Sequence, residues 1–141
     1  MYLLDANVLI ALGDASHVHG NAAIRFFENE AVRDGWATCP ITENAFLRIL
    51  GHPGYANGPG STKEARKLLQ KLTSAPGHQF WPHEHSFLNA TKFPVLPGSR
   101  HLTDLYLLAL AVSRRARFAT FDRNIDPGLI DGGRAAYFRI P

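Results

Sequence analysis

Tyr2-Leu3-Leu4-Asp5-Ala6-Asn7-Val8-Leu9-Ile10-Ala11-Leu12 is the stretch on which the fold turns. Three apolar residues, one of them aromatic, stop abruptly at Asp5, which is the pattern of a short buried strand. Val8–Leu12 then reads as the first turns of a helix, with Asp5 or Asn7 placed to cap it. A strand that passes directly into a helix is the step that α/β folds repeat.

The same alternation continues outward. Ala22, Ala23, Phe26 and Phe27 stand at helical spacing and predict a helix over Asn21–Glu30. Gly35 ends it, Trp36–Cys39 predicts a second strand, and a helix opens at Ile41 or Thr42 and runs to about Leu50. The breaker-dense run Gly51–Gly60 predicts an exposed loop. Ser61 or Thr62 caps the next helix, with Glu64 near its start and Lys71 near its end, as the macrodipole prefers. Gln79–Trp81 predicts a third strand, Phe87–Ala90 a brief helix, and Pro94–Gly98 a loop. Thr103–Arg115 is the clearest helix, Arg117–Phe121 a fourth strand, Asp126–Gly133 a turn-rich connection and Ala135–Arg139 a last strand. Together these predict an α/β fold: a three-layer sandwich whose central, mainly parallel sheet is flanked by helices.

The 141 residues are enough for one domain, expected to span 1–141. A 45% hydrophobic content excludes wholesale disorder. The single cysteine, Cys39, excludes an internal disulfide framework and suits a reducing, cytoplasmic setting. No signal segment is expected, because Asp5 interrupts the apolar start and no basic stretch precedes it. Leu105–Val112 is too short an apolar run to span a bilayer, so no membrane partner is expected. The net charge of +3 permits a polyanionic partner without requiring one.

The placement of the acids carries more information than their number. Asp5 follows the first predicted strand and Asp122 the fourth, and in open parallel sheets ligands bind beyond the carboxyl ends of strands. Glu43 precedes Phe46, Leu47 and Leu50, and Asp104 precedes Leu107, Leu108 and Ala111, at offsets of about 3, 4 and 7 that define one helical face. Each of these two acids therefore leads the apolar stripe of its helix. Taken singly, each acid has an ordinary structural role open to it, as a cap, a first-turn acid or a turn residue. Four that converge repel one another, and a divalent cation such as Mg2+ or Mn2+ is the simplest remedy for an all-oxygen site.

Four blocks, in order, resemble the signature blocks of PIN-domain ribonucleases, and most closely those of VapC-type toxins. They are Met1–Asn7, Thr42-Glu43-Asn44, Leu102–Ala111 and Ala119–Asn124. The resemblance implies an acidic metal cluster of Asp5, Glu43, Asp104 and Asp122, with Asp5, Asp104 and Asp122 as metal residues. Asn7 and Thr120 match the supporting polar positions. The last block departs from many relatives in having Asn124 where they carry a further acid, with Asp126 nearby. The resemblance also implies an RNA substrate, a cognate antitoxin protein that blocks the site, and a homodimer, for which Phe26 and Phe27 are core or interface.

The chemistry expected is metal-assisted hydrolysis of RNA phosphodiesters, with Glu43 either a ligand or the residue that holds the attacking water. Arg123, beside Asp122, and Arg114 and Arg115, at the end of the Asp104 helix, are candidate RNA contacts; the latter two equally suit a helix carboxyl end. His101 adjoins the Asp104 block as an RNA contact, a loop residue or a cap. His83-Glu84-His85 lacks a completing cysteine pair for zinc and reads as surface. Two alternatives remain: a metal-dependent phosphohydrolase acting on DNA, which would cleave DNA in preference to RNA, and a non-catalytic RNA-binding protein, which would bind no divalent ion.

Overall fold

The computed structural model describes residues 1–141. Strands β1 (Tyr2–Leu4), β2 (Trp36–Thr38), β3 (His78–Phe80), β4 (Arg117–Thr120) and β5 (Tyr137–Arg139) pair in the order β3-β2-β1-β4-β5. Every pairing is parallel. Helices α1 (Ala6–Gly13), α2 (Gly20–Phe26), α3 (Val32–Asp34), α4 (Pro40–Leu50), α5 (Thr62–Thr73), α6 (Leu102–Ser113) and α7 (Gly133–Ala136) fill the connections. A single π turn over Phe27–Ala31 joins α2 to α3. The expected three-layer sandwich is present.

Side chains alternate across the strands and so build two cores. Leu3, Ala37 and Phe118 face α6, while Tyr2, Leu4, Trp36 and Ala119 face the layer of α1, α2, α4 and α5, which contributes Val8, Leu9, Phe26, Phe46, Leu50 and Leu69. Phe26 is thus core, packed edge-on to Tyr2, and Phe27 lies against Trp36. α6 is buried without a break from Leu105 to Ala111. It needs apolar residues all round because Trp81, Phe87 and Phe93 cover the side turned away from the sheet. No helix is long and apolar enough to cross a membrane.

The structure moves several boundaries. Phe87–Ala90 is a turn rather than a helix, because the Asn89 side chain accepts from the backbone N–H of Thr91 and of Lys92, at 3.1 Å each, and diverts the chain. The last strand begins at Tyr137, since Gly133–Ala136 coils into the short α7. The third strand lies one residue earlier than expected, at His78–Phe80, although Trp81 N–H still donates to Thr38 O at 2.8 Å. α6 stops at Ser113, where Arg115 adopts φ 53° and Ala116 N–H donates back to Ala111 O at 2.9 Å. That left-handed closure suits glycine better than arginine. The Gly51–Gly60 loop is tied down by Tyr55, whose hydroxyl donates to Asp14 Oδ2 at 2.6 Å.

The sheet order has one consequence for function. Leaving β1, the chain goes first to one side, through β2 and β3, and later to the other, through β4 and β5. The crevice above the carboxyl ends of β1 and β4 is therefore the topological switch point, where open parallel sheets bind ligands.

Candidate active site

Asp5 sits in that crevice, directly after β1 and ahead of α1. It caps α1 by position, with extended backbone, but its side chain makes no capping hydrogen bond. The carboxylate instead accepts from Thr120 Oγ1 at 2.6 Å. Thr120 ends β4 and is fully buried, and its hydroxyl also accepts from Asn7 Nδ2 at 3.0 Å and from Asp122 N–H at 3.0 Å. Asn7 Oδ1 completes the set by accepting from Phe121 N–H at 3.3 Å. One hydroxyl thus ties the end of β1, the start of α1 and the turn after β4 into a single unit.

Asp122 and Asp104 flank this unit. Asp122 is fixed by a turn in which its Oδ1 accepts from Asn124 N–H at 2.8 Å, and its carbonyl accepts from the Tyr137 hydroxyl. Asp104, in the first turn of α6, is half-buried, with His101 Nδ1 3.5 Å from its Oδ2. One ligand atom from each of His101, Asp104 and Asp122 falls within 4.8 Å of the others. Asp126, by contrast, faces solvent and caps the turn at Pro127, accepting from Gly128 N–H at 2.9 Å.

The electrostatics record the crowding. Burial pushes the Asp5 carboxyl up to about 6; the Thr120 hydrogen bond opposes this, and the charges of Asp104 and Asp122 add to it. Burial also raises Asp104, opposed by neighbouring His101 and reinforced by Asp122. Carboxylates held at one another's expense in a half-dry crevice are poised for a cation.

Glu43 lies outside the group of ligand atoms formed by His101, Asp104 and Asp122 and has a partner of its own. Its Oε1 accepts from Thr38 Oγ1 at 2.7 Å, and Thr38 Oγ1 lies 2.9 Å from His78 Nε2. With the Thr38 proton directed at Glu43, the His78 ring is the donor in the second contact. Thr38 and His78 were not singled out in the sequence, and only the pairing of β2 with β3 joins them. Burial lowers His78 below its ordinary value, with Glu43 opposing.

The arginines separate. Arg123 is exposed beside Asp122. Arg114 and Arg115 lie beyond the far end of α6, about 15 Å along the axis from Asp104 at 1.5 Å per residue. Arg114 there pairs with Glu84 and lies over the Trp81 ring, 5.5 Å from its centroid. His85 is held by Ser113 Oγ at 3.0 Å, and the His83 ring stands against Tyr106. A surface cleft of about 760 Å3 opens at the opposite end of the strands, lined by Met1, Tyr2, Arg115 and Arg117 among others. It lies at the amino ends of the strands, away from every acid in the crevice.

The residues fit a divalent cation. The donor set is carboxylate-rich, its ligand atoms lie within about twice a usual metal–ligand distance, and His101 Nδ1 is buried with no hydrogen-bond partner.

The chain is similar to known proteins along most of its length. The family model described as PIN domain matches residues 2–126. Ribonuclease VapC44 of Mycobacterium tuberculosis is 41% identical over 125 residues, covering 87% of each chain. Ribonuclease VapC38 of the same organism is 38% identical over 125 residues, covering 89% of this chain and 87% of its own. Among solved structures, the sarcin–ricin-loop-cleaving toxin VapC20 of M. tuberculosis superposes with a TM-score of 0.64 at 10% identity, covering 88% of this chain and 92% of that one. A chain of VapBC2 from Rickettsia felis, bound to a DNA fragment from their promoter, gives 0.65 at 11% identity, covering 99% and 98%.

Proposed function

Because the chain belongs to the PIN-domain family, we propose that it is a VapC-type endoribonuclease, the toxin of a toxin–antitoxin pair, which inhibits translation by hydrolysing RNA phosphodiesters. The observation that carries this reading is the meeting of Asp5, Asp104 and Asp122 at the topological switch point, with Thr120 holding the Asp5 side chain and, together with Asn7, the Phe121–Asp122 backbone.

Mg2+ or Mn2+ is the cofactor this reading requires: a bound divalent ion neutralises phosphoryl oxygens and acidifies water. Asp104, Asp122 and Asp5 are the residues that would hold it. Thr120 keeps Asp5 in its ionised form by donating to it, and so maintains the charge a cation needs. Glu43, with Oε1 taken by Thr38, is held in one orientation and has Oε2 left to accept from the attacking water. Arg123, exposed beside Asp122, supplies a phosphate contact outside the acidic centre.

The partners follow from the same reading. The R. felis relative was solved as a VapBC complex, which supports a cognate antitoxin for this chain. We assign it a homodimer and a cytoplasmic setting, where its RNA substrate resides. Exposed apolar residues Val18 and Ile24, on the α1–α2 side, suit a dimer contact, and a strictly monomeric elution would count against the dimer.

The test is cleavage of cellular RNA by the purified protein with Mg2+ or Mn2+. Fragments should form with either ion, vanish with chelator, and be absent for Asp104→Asn. Full activity of that variant, or cleavage of DNA in preference to RNA, would overturn the assignment.

A further inference from the structure

We propose that His101 is a metal ligand through Nδ1, so that the crevice offers a mixed nitrogen–oxygen donor set selective for Mn2+ over Mg2+. The proposal rests on the reading of the crevice as a cation site and adds to it a ligand that is not an acid.

Three observations lead there. His101 Nδ1 is fully screened from solvent yet has no hydrogen-bond partner, a state that costs free energy unless something else occupies the lone pair. The bland alternative, a capping role for the ring at the start of α6, fails because the His101 side chain makes no capping hydrogen bond. The 3.5 Å separation from Asp104 Oδ2 lies beyond the usual hydrogen-bond range, so His101 opposes the upward shift of that carboxylate as a close neighbour and leaves room for an ion between them.

Geometry supplies the rest. His101 closes the one-turn helix Ser99–His101, and its spacing of three from Asp104 places both side chains on the same side of the chain as it enters α6. Asp122 arrives from the turn after β4, and the three ligand atoms lie within 4.8 Å of one another. With the ring proton on Nε2, the Nδ1 lone pair is left for a cation that Asp104 and Asp122 also reach. Imidazole nitrogen suits transition ions, whereas Mg2+ prefers an octahedron of oxygens and keeps its waters.

Electron spin-echo spectroscopy of the Mn2+-loaded protein reads this directly, because an imidazole nitrogen bound to Mn2+ imposes a 14N modulation on the echo. The modulation should be present in the wild type and absent in His101→Ala and His101→Asp. Calorimetry should show Mn2+ binding weakened about tenfold in His101→Ala, by analogy with losses of 10–100-fold when a metal site is perturbed. Mg2+ binding should change much less, and His101→Asp, with an all-oxygen set, should narrow the preference between the two ions. Mn2+ bound without 14N modulation in the wild type, or with modulation persisting in both variants, overturns the proposal and leaves the ribonuclease reading intact. Failure of the wild type to bind either ion overturns both. The His101 ring is partly exposed, so both variants should keep the wild-type circular dichroism spectrum.

Discussion

Replacing Asp5 by asparagine should make the cation-free protein more stable while it destroys the nuclease. Asp5 is only 7% exposed, and its carboxyl is pushed up to about 6, against about 3.9 in an unfolded chain. Above pH 6 the folded protein therefore carries a buried charge that unfolding would release to water. A difference of roughly 2 pKa units corresponds to about 3 kcal/mol of lost stability at neutral pH. The sign follows from proton counting. Between about pH 4 and 6 the folded state binds a proton that the unfolded state has already released, so stability falls as pH rises through that window. Asparagine removes the charge and keeps an oxygen for Thr120, at the cost of an amide that needs a partner, worth roughly 1 kcal/mol. In urea titrations with chelator at pH 7.5, Asp5→Asn should gain about 1–3 kcal/mol, and the gain should disappear near pH 4. Saturating Mn2+ should narrow or reverse the gap, since the wild type binds it more tightly. A variant less stable than wild type at pH 7.5 in chelator, or a gain that does not change with pH, would refute the reasoning.

Other perturbations test other links. Thr120→Val removes the hydroxyl that lowers Asp5, so the acid limb of the cleavage profile should move to higher pH, while Thr120→Ser should restore it; pH–rate curves of the two variants decide this. Arg115→Gly relieves a side chain held at φ 53° and should raise stability by roughly 0.5–1 kcal/mol in thermal unfolding, with cleavage unchanged. Phe46→Ala opens a cavity between α4 and α1 and should cost about 3–5 kcal/mol by urea titration. Arg123→Ala should weaken RNA binding and reduce the slope of log affinity against log salt by about 1, measured by fluorescence anisotropy with a non-cleavable RNA.

Much of the architecture was legible because it is written in local pattern. Tyr2–Leu4 is an apolar run cut off by an acid and is a strand, and the aromatic-containing segment Arg117–Phe121 holds the strand Arg117–Thr120. Ser61 or Thr62 is the cap the sequence offers, and it is the Ser61 hydroxyl that accepts from Glu64 N–H at 3.2 Å. The segment around Phe87 was not legible, because the competing Asn89 side chain and the packing of Phe87 on Phe93 and Tyr106 outweigh its helical appearance. Arg114 reads equally as an RNA contact and as a helix-end residue because a sequence shows only that it is basic; its distance from Asp104 and its pairing with Glu84 emerge only when α6 is laid out in space.

By itself the sequence determined that Asp5 and Asp122 follow strands, that Asp104 heads a buried helix, and that strands and helices alternate around a parallel sheet. These are properties of neighbours in the chain, set by periodicity and by where apolar runs end. Only the tertiary structure decided the partners. Thr120 reaches Asp5 across 115 positions of sequence, and His78 reaches Thr38 across 40. His101 differs in kind, since its nearest acid is three residues away, yet its unpaired nitrogen becomes visible only once Asp122 is folded against it. Strand order places these groups, and strand order is chosen by the burial of whole faces, which no local window of residues contains.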